Sequence, residues 1–469
     1  MAKTQNSSPS DAPSGAVKLD RPITLIGAIA LVVGGVVGMG IYALIAGVGA
    51  EAGSSLWLVF TLAMVVSVIG VAPFMQIASA LPRAGAGYLY TSRLLNPLTG
   101  TIVSYWAILG VACSTCFVSL GLAGYLAPYL PWDIPVKVLA LILPCLFFAL
   151  YLFRLRLATW VQILLVVQLV IALLVYAGVG SFKYDMQFSV SLPQGVGGLI
   201  MATVLCYSAC FGFQIVGEMG EEMKNARRNI PLALVIGAAI ILIIYILVGT
   251  VFISSVPYDY EAIKGMTAPL MDSGKVFLSP FWVVFLSIGA LSAGLTSFNA
   301  AAIAMPREFF AQARDGIAPR FMGKINERTR SPINAVGVYF LFAVLLLLLG
   351  VPLGWSIGFY AVMTAVGILV LTVVLAIAAC RLPSKLPDRY NSAYFKMPKP
   401  WLFTIAVISA VSSLGFAFLV LTQAPLVGLV YLGWTVLIVV YYFLRIRWLK
   451  RKGFDWEGTV KRIPGFDEG

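Results

Sequence analysis

Residues 34–42 read GGVVGMGIY and lie in the middle of the apolar stretch RPITLIGAIALVVGGVVGMGIYALIAGVGAE, residues 21–51. The stretch is long enough for a membrane-spanning helix, yet four of the nine quoted residues are glycine. Each glycine inside a helix costs roughly 0.8–1 kcal/mol relative to alanine. A purely structural span has little reason to concentrate glycine at mid-depth, so the stretch reads as a span that is interrupted between residues 34 and 40.

The rest of the chain supports a membrane setting. Of its 469 residues, 60% are hydrophobic and 11% charged, with a mean hydropathy of +0.95, far outside the range of a soluble globular domain. Apolar stretches recur from residue 23 to residue 444, each long enough for the ~20 residues that cross the hydrocarbon. Short alternating segments of the transmembrane-barrel kind are lacking. The sequence thus describes an all-α integral membrane protein with about twelve transmembrane helices. They are expected at 23–49, 55–80, 98–129, 136–153, 157–180, 194–222, 231–256, 280–306, 333–351, 355–380, 401–423 and 425–444. The first is too long, and too closely followed by others, to be a cleaved signal peptide, and the polar residues 1–22 before it read as a disordered tail.

Lys and Arg set the orientation, because cytoplasmic segments carry their excess. In the twelve-span arrangement one side holds only Lys137, Lys183, Lys264 and Lys275 of the 32 basic residues, so both termini are expected in the cytoplasm. The net charge of +13 is then a product of topology, and no nucleic-acid partner is needed. The partners expected are the lipid bilayer and a small molecule.

All six cysteines, Cys113, Cys116, Cys145, Cys206, Cys210 and Cys380, fall inside apolar spans, which argues against a disulfide framework. Cys113-x-x-Cys116 has no second pair or histidine to complete a metal site, and helix packing is the better account of it. The chain has no histidine at all, so proton chemistry would have to use a carboxylate, Lys, Tyr, Cys or water. No cofactor is expected.

A transporter built from inverted repeats should show a matching interruption one repeat later. Span 6 supplies it, with Gly212, Gly217 and Gly220 spread through residues 194–222 and Glu218 inside the apolar run. Five spans precede this one. The expected organisation is therefore a first inverted repeat over 23–180, a second over 194–380, two extra helices over 401–444 and a basic tail over 445–469. Unwinding a helix frees N–H and C=O groups that are tolerable only when they line a cavity. The N-terminal end of a half-helix suits a carboxylate, while freed carbonyls suit an ammonium group or a cation. Glycine at these positions could also serve close helix packing.

Several stretches resemble the amino acid, polyamine and organocation transporter superfamily, and the resemblance covers most of the chain. Gly38-Met39-Gly40-Ile41-Tyr42 is similar to that family's break in span 1, and residues 82–90, PRAGAGYLY, to its loop before span 3. Residues 221–231, EEMKNARRNIP, resemble its run after span 6, with Ala226 where a proline is usual, and Ala313-Arg314-Asp315-Gly316 followed by Pro319 resembles the run after span 8. The resemblance implies alternating access around a midplane site, with spans 1, 2, 6 and 7 moving against spans 3, 4, 8 and 9. It implies a substrate carboxylate on the span 1 amides and an ammonium on carbonyls of both breaks. Carried over by position, that points to Val36, Gly38, Met39, Gly40 and Ile41 in span 1, to Ser208, Phe211, Gly212 and Gln214 in span 6, and to Thr115 in span 3.

Three departures from the family pattern matter. Met39 stands where many members have a small hydroxyl residue. Gln168 stands where many proton-coupled members carry a lysine that substitutes for a sodium ion. Gln214 stands where many members are acidic, while Glu218 places a carboxylate one helical turn later. An ionisable group within a span is costly by ~2.5–3.5 kcal/mol, so Glu218 is a candidate proton carrier or counter-ion, the alternative being an Arg-paired cluster with Glu221 and Glu222. Ser292, Thr296 and Ser297 in span 8 are coupling candidates, Thr296 and Ser297 as a sodium site, although such hydroxyls also pack locally. Tyr42, Tyr88, Tyr105, Trp106, Phe211, Phe213 and Trp282 could gate the site or simply pack.

The leading expectation is a secondary active transporter of amino acids, a symporter or antiporter coupled to H+ or Na+. A carrier of polyamines or other organic amines is the nearest alternative, and a channel is the alternative from another class. An enzyme is not expected, because the spans hold neither histidine nor carboxylate pairs.

Overall fold

A computed structural model describes residues 23–83, 85–152, 159–186, 188–210, 212–213, 223–326, 331–393 and 395–462. The expected disordered tail, residues 1–22, lies outside them. Among the described residues the chain is helical throughout, with two isolated bridges, Ile23 with Met223 and Asn326 with Ser331, as its only extended pairings.

Span 1 is two helices, α1 (Leu25–Val36) and α2 (Met39–Ala52). Next come α3 (Leu56–Ala80), α4 (Ala86–Leu94), α5 (Pro97–Leu126), α6 (Val136–Leu152), α7 (Thr159–Lys183) and α8 (Gly195–Ala209). After the span 6 break follow α9 (Ala226–Ser255), the short α10 (Tyr260–Lys264) and α11 (Pro269–Gly274), and α12 (Pro280–Arg314). The chain continues through α13 (Ile333–Gly350), α14 (Ile357–Lys385), α15 (Pro387–Asn391), α16 (Lys399–Gln423), α17 (Pro425–Arg451) and α18 (Trp456–Lys461). Among the described residues nine apolar stretches have the length to cross a membrane, the first holding both span 1 and span 2, and the shorter α6 and α8 bring the spans to twelve.

Local signals start several of these helices. Asn96 caps α5 by accepting from Thr99 N at 2.9 Å, and Pro97 occupies the first helical position, where a missing N–H costs nothing. Ser356 caps α14 in the same way through Phe359 N at 3.2 Å.

The packing repeats with a period of five spans. α1 packs on α9 (spans 1 and 7), and α8 on α3 (spans 6 and 2). α1 packs on α7 and α8 on α14, while α5 packs on α14 and α12 on α7. Each contact thus has a counterpart five spans on. α16 and α17 lie outside this set, resting on α14 and α5, and their outer faces expose Leu, Val and Phe side chains.

Two elements extend beyond expectation. Span 8 was read as ending at residue 306, where charged residues begin, but α12 runs on to Arg314 with Glu308 and Gln312 buried. The reason is α4, which lies against that extension. Glu308 accepts hydrogen bonds from Gly87 N at 2.8 Å, from Tyr88 N at 2.9 Å and from the Ser104 hydroxyl, so a carboxylate of α12 caps the N-terminus of α4. Two turns on, Asp315 receives Arg93 Nη1 at 2.6 Å, Arg93 Nη2 at 2.9 Å and the Tyr88 hydroxyl at 2.6 Å. Gly85 has φ +74°, and a Cβ there would strike the Ala311 side chain and the Arg307 carbonyl. The PRAGAGYLY and Arg-Asp-Gly motifs are therefore the two halves of one clasp.

The second extension is at the C-terminus. Residues 445–451, expected within a basic tail, continue α17, and α18 folds back on α4, with Arg93 Nε donating to the Arg462 carbonyl at 2.8 Å.

Candidate functional site

The interruption in span 1 is narrower than the glycine cluster. Gly34 and Gly35 stay within α1, and the helix breaks only at Val37 and Gly38. Gly38 is needed for close approach, because a Cβ there would collide with Ser297 Oγ of α12. The hydroxyl of Ser297 instead accepts the first amide of α2, Met39 N, at 3.2 Å. Gly40 and Ile41 supply the next first-turn N–H groups, which no helix carbonyl can reach.

Span 6 breaks after Ala209, and Gly212 has φ 142°, a backbone conformation open to glycine alone. The two breaks touch, since a Cβ on Gly40 would stand 2.8 Å from Ala209 Cα. Between them is a cavity that Val36 and Gly40 of span 1 share with Ser208, Ala209 and Gly212 of span 6. From there it follows α12 from Ser297 to Met305, about 12 Å at the helical rise, facing Val111, Thr115 and Val118 of α5. Its free space is about 50 Å³. That holds a few waters, at roughly 10–15 Å³ each by this measure, and no larger molecule until helices move.

One residue that sequence reasoning missed joins the two breaks. The Tyr245 hydroxyl of α9, fully buried, lies 2.7 Å from the Val36 carbonyl and 2.9 Å from the Ala209 carbonyl. A phenol has one proton and can donate to one of these oxygens at a time. A signal did exist: Tyr245 is a lone polar group in the aliphatic run ALVIGAAIILIIYILVG of span 7, and a buried Tyr hydroxyl normally has a partner.

The expected site residues divide as follows. Val36, Gly40, Thr115, Ser208, Gly212 and Ser297 line the cavity. Gly38 sits at the break behind it, and Met39 and Ile41 are buried at the start of α2, offering backbone only. Thr115 is already engaged, with its hydroxyl 2.7 Å from that of Tyr339. Ser208 donates to the Ala361 carbonyl at 2.5 Å. Phe211, Gln214 and Glu218 lie outside the described residues, as do Glu221 and Glu222.

Of the coupling candidates, Thr296 and Ser297 meet span 1 at Gly34 and Gly38, and the Thr296 hydroxyl donates to the Ala293 carbonyl at 3.0 Å. Ser292 is buried one turn away. Gln168 donates to the Phe285 carbonyl at 3.2 Å, near the opposite end of α12. The span 5 amide that reaches span 1 is Gln162, beside Gly34, with its Oε1 accepting from Asn299 Nδ2 at 3.0 Å. Of the aromatic candidates, Tyr42 packs edge-on against Tyr125, whose hydroxyl donates to the Tyr42 carbonyl at 3.2 Å. Leu270 N donates to the Tyr125 hydroxyl at 3.0 Å, which ties α11 over this side of the site.

Residues 23–444 match the model of the amino acid permease family. The chain belongs to that family. As an amino acid permease it is a membrane transporter and not an enzyme, and the superfamily resemblance read from its motifs holds over nearly its whole length. Among its relatives, the branched-chain amino acid permease BcaP of Bacillus subtilis is 25% identical over 463 residues, which are 93% of this chain and 95% of that protein. The vacuolar cationic amino acid transporter 4 of Arabidopsis thaliana is 27% identical, over 69% of this chain and 58% of its own length. Human cationic amino acid transporter 4 is also 27% identical, over 70% of this chain and 54% of its own.

Proposed function

We propose that this amino acid permease is a secondary active transporter working by alternating access. In this reading the substrate carboxylate sits on the amides of Met39, Gly40 and Ile41, and its ammonium on the carbonyls of Val36 and Ala209. The observation that carries it is the convergence of those two carbonyls on the single hydroxyl of Tyr245. An ammonium group has three donors and can serve both oxygens together, as one phenol cannot. The small cavity fits the same scheme, because an amino acid can enter only when spans move apart. The five-span periodicity of the packing supports two repeats, and since five is odd, the second would be inverted. The bilayer is the cell membrane, with both termini cytoplasmic.

The cavity also bears on the substrate's side chain. Its described walls below the breaks are mostly apolar, with Val111, Phe117, Val118, Phe298, Ala301 and Met305 beside the hydroxyls of Ser114 and Thr115, and no charged group is among the described lining residues. A guanidinium or carboxylate carried there would lose its water without gaining a partner, whereas an aliphatic side chain gains burial. Neutral aliphatic amino acids are therefore the preferred class.

The test is uptake of radiolabelled leucine into proteoliposomes, with alanine, arginine, glutamate and putrescine as competitors. Alanine should compete, and arginine and glutamate should compete at least tenfold less well. Saturable putrescine uptake that no amino acid inhibits would overturn the amino acid reading, and ionic currents without counterflow would indicate a channel. Varying pH and replacing sodium with potassium in the same assay identifies the coupling ion.

A further inference from the structure

On the outside of the bundle an open groove of about 690 Å³ runs between α6 and α13. Phe148 and Leu152 form one wall, and Val338, Leu341 and Val344 the other. At Gly337 the two walls come together, since Phe148 Cζ lies 3.0 Å from where a Cβ there would stand. Leu341 is 59% exposed, so these walls are the molecule's surface and would meet hydrocarbon. From Ile333 to Val344 the groove descends α13 by about 16 Å, roughly half of the ~30 Å hydrocarbon core.

The end of the groove near the start of α13 is built differently. Phe321 closes it, within the 3-10 turn Arg320–Gly323, and Asn334 Nδ2 holds the turn by donating to the Phe321 carbonyl at 3.0 Å. Arg320 opens that turn and Lys324 follows it. Both are exposed, and neither side chain has a hydrogen-bond or ion-pair partner among the described residues. A basic rim at the membrane surface above an apolar slot has the polarity of a single anionic lipid, with its phosphate at the rim and a chain in the slot. Basic pockets between membrane helices recognise acidic headgroups in this way.

We propose that this groove binds an acidic glycerophospholipid, its phosphate at Arg320 and Lys324 and one acyl chain along α6 and α13. A zwitterionic lipid can fill the slot but gains less at the rim. The expected preference for the acidic lipid is on the order of tenfold, from two basic residues near an anionic surface.

Native mass spectrometry of the purified full-length protein, titrated with phosphatidylglycerol or phosphatidylcholine, tests this directly. Phosphatidylglycerol adducts should form at about tenfold lower lipid concentration than phosphatidylcholine adducts. The double variant Arg320→Glu with Lys324→Glu should abolish that difference. Leu341→Trp, which fills the slot from the lipid side without entering the core, should reduce adducts of both lipids. If charge reversal lowers the yield of folded protein, Arg320→Gln with Lys324→Gln should show the same loss of preference, and the thermal midpoint of each variant certifies its fold. Equal binding of the two lipids by the wild type overturns the proposal, as does a preference that survives the charge variants, or adducts that persist undiminished in Leu341→Trp.

Discussion

The helix breaks and the clasp between α4 and α12 both bury polar groups in a membrane protein, and they do so with opposite results. At the breaks, two carbonyls share one donor, the Gly40 backbone lines a cavity, and the other polar groups around that cavity are the hydroxyls of Ser114, Thr115, Ser208 and Ser297. At the clasp, Glu308 and Asp315 each accept three hydrogen bonds, one of them from a side-chain hydroxyl, Ser104 for Glu308 and Tyr88 for Asp315. A buried polar group that is fully partnered adds stability and cannot accept a ligand. One that is short of partners weakens the fold slightly and is ready to receive a substrate. On the proposed function, the contrast separates architecture from substrate binding within one chain.

The comparison can be broken most severely at the clasp. Asp315→Ala would leave the Arg93 guanidinium buried without its carboxylate, and the expected loss is about 3–5 kcal/mol of stability. It should be read as a lower thermal midpoint and lower yield, with uptake per folded molecule unchanged. Gly40→Leu attacks the other region. Its Cβ must push into the Ala209 backbone, so the breaks separate, and uptake should fall on the order of a hundredfold, with an overpacking cost of about 1–3 kcal/mol that is smaller than the loss at the clasp. A large stability loss from Gly40→Leu with normal uptake would erase the distinction.

Tyr245→Phe sharpens the same comparison. Without the hydroxyl both carbonyls lose their donor, which costs about 1 kcal/mol in the empty protein. If the substrate ammonium takes over those oxygens, leucine binding should compensate, so that saturating leucine raises the thermal midpoint of the variant more than that of the wild type. The smallest effect belongs to Lys275→Ala. Its ion pair with Asp272, at 3.0 Å, is more than a third exposed on both sides, and stability should stay within about 0.5 kcal/mol.

Some of this was legible in the sequence and some was not, for physical reasons that differ by residue. The interrupted span was plain from Gly38 and Gly40, because helix weakness is a local property. Its extent was overread, since Gly34 and Gly35 remain helical and Gly34 serves packing against α7 instead. Glu308 was hidden by its own charge: a carboxylate after an apolar run marks the end of a span unless something buries it, and α4 does so from 221 residues away. The same distance effect hid the partnership of Tyr88 with Asp315, although each of their motifs is legible singly. Gln162 was overlooked in favour of Gln168 because the two stand on one helix, and only packing against span 1 tells them apart.

By itself, the sequence determined that the chain is an all-α membrane protein of about twelve spans and where a helix weakens, and it set an expectation for which way its basic loops face. These follow from hydropathy, charge and propensity, each summed over neighbouring residues. The tertiary structure alone decided that the carbonyls of Val36 and Ala209 meet at Tyr245, that Gly40 touches Ala209, and that two distant motifs close into one clasp. Those outcomes depend on which helix faces which, and that is set by close packing between segments that no local property of the chain connects.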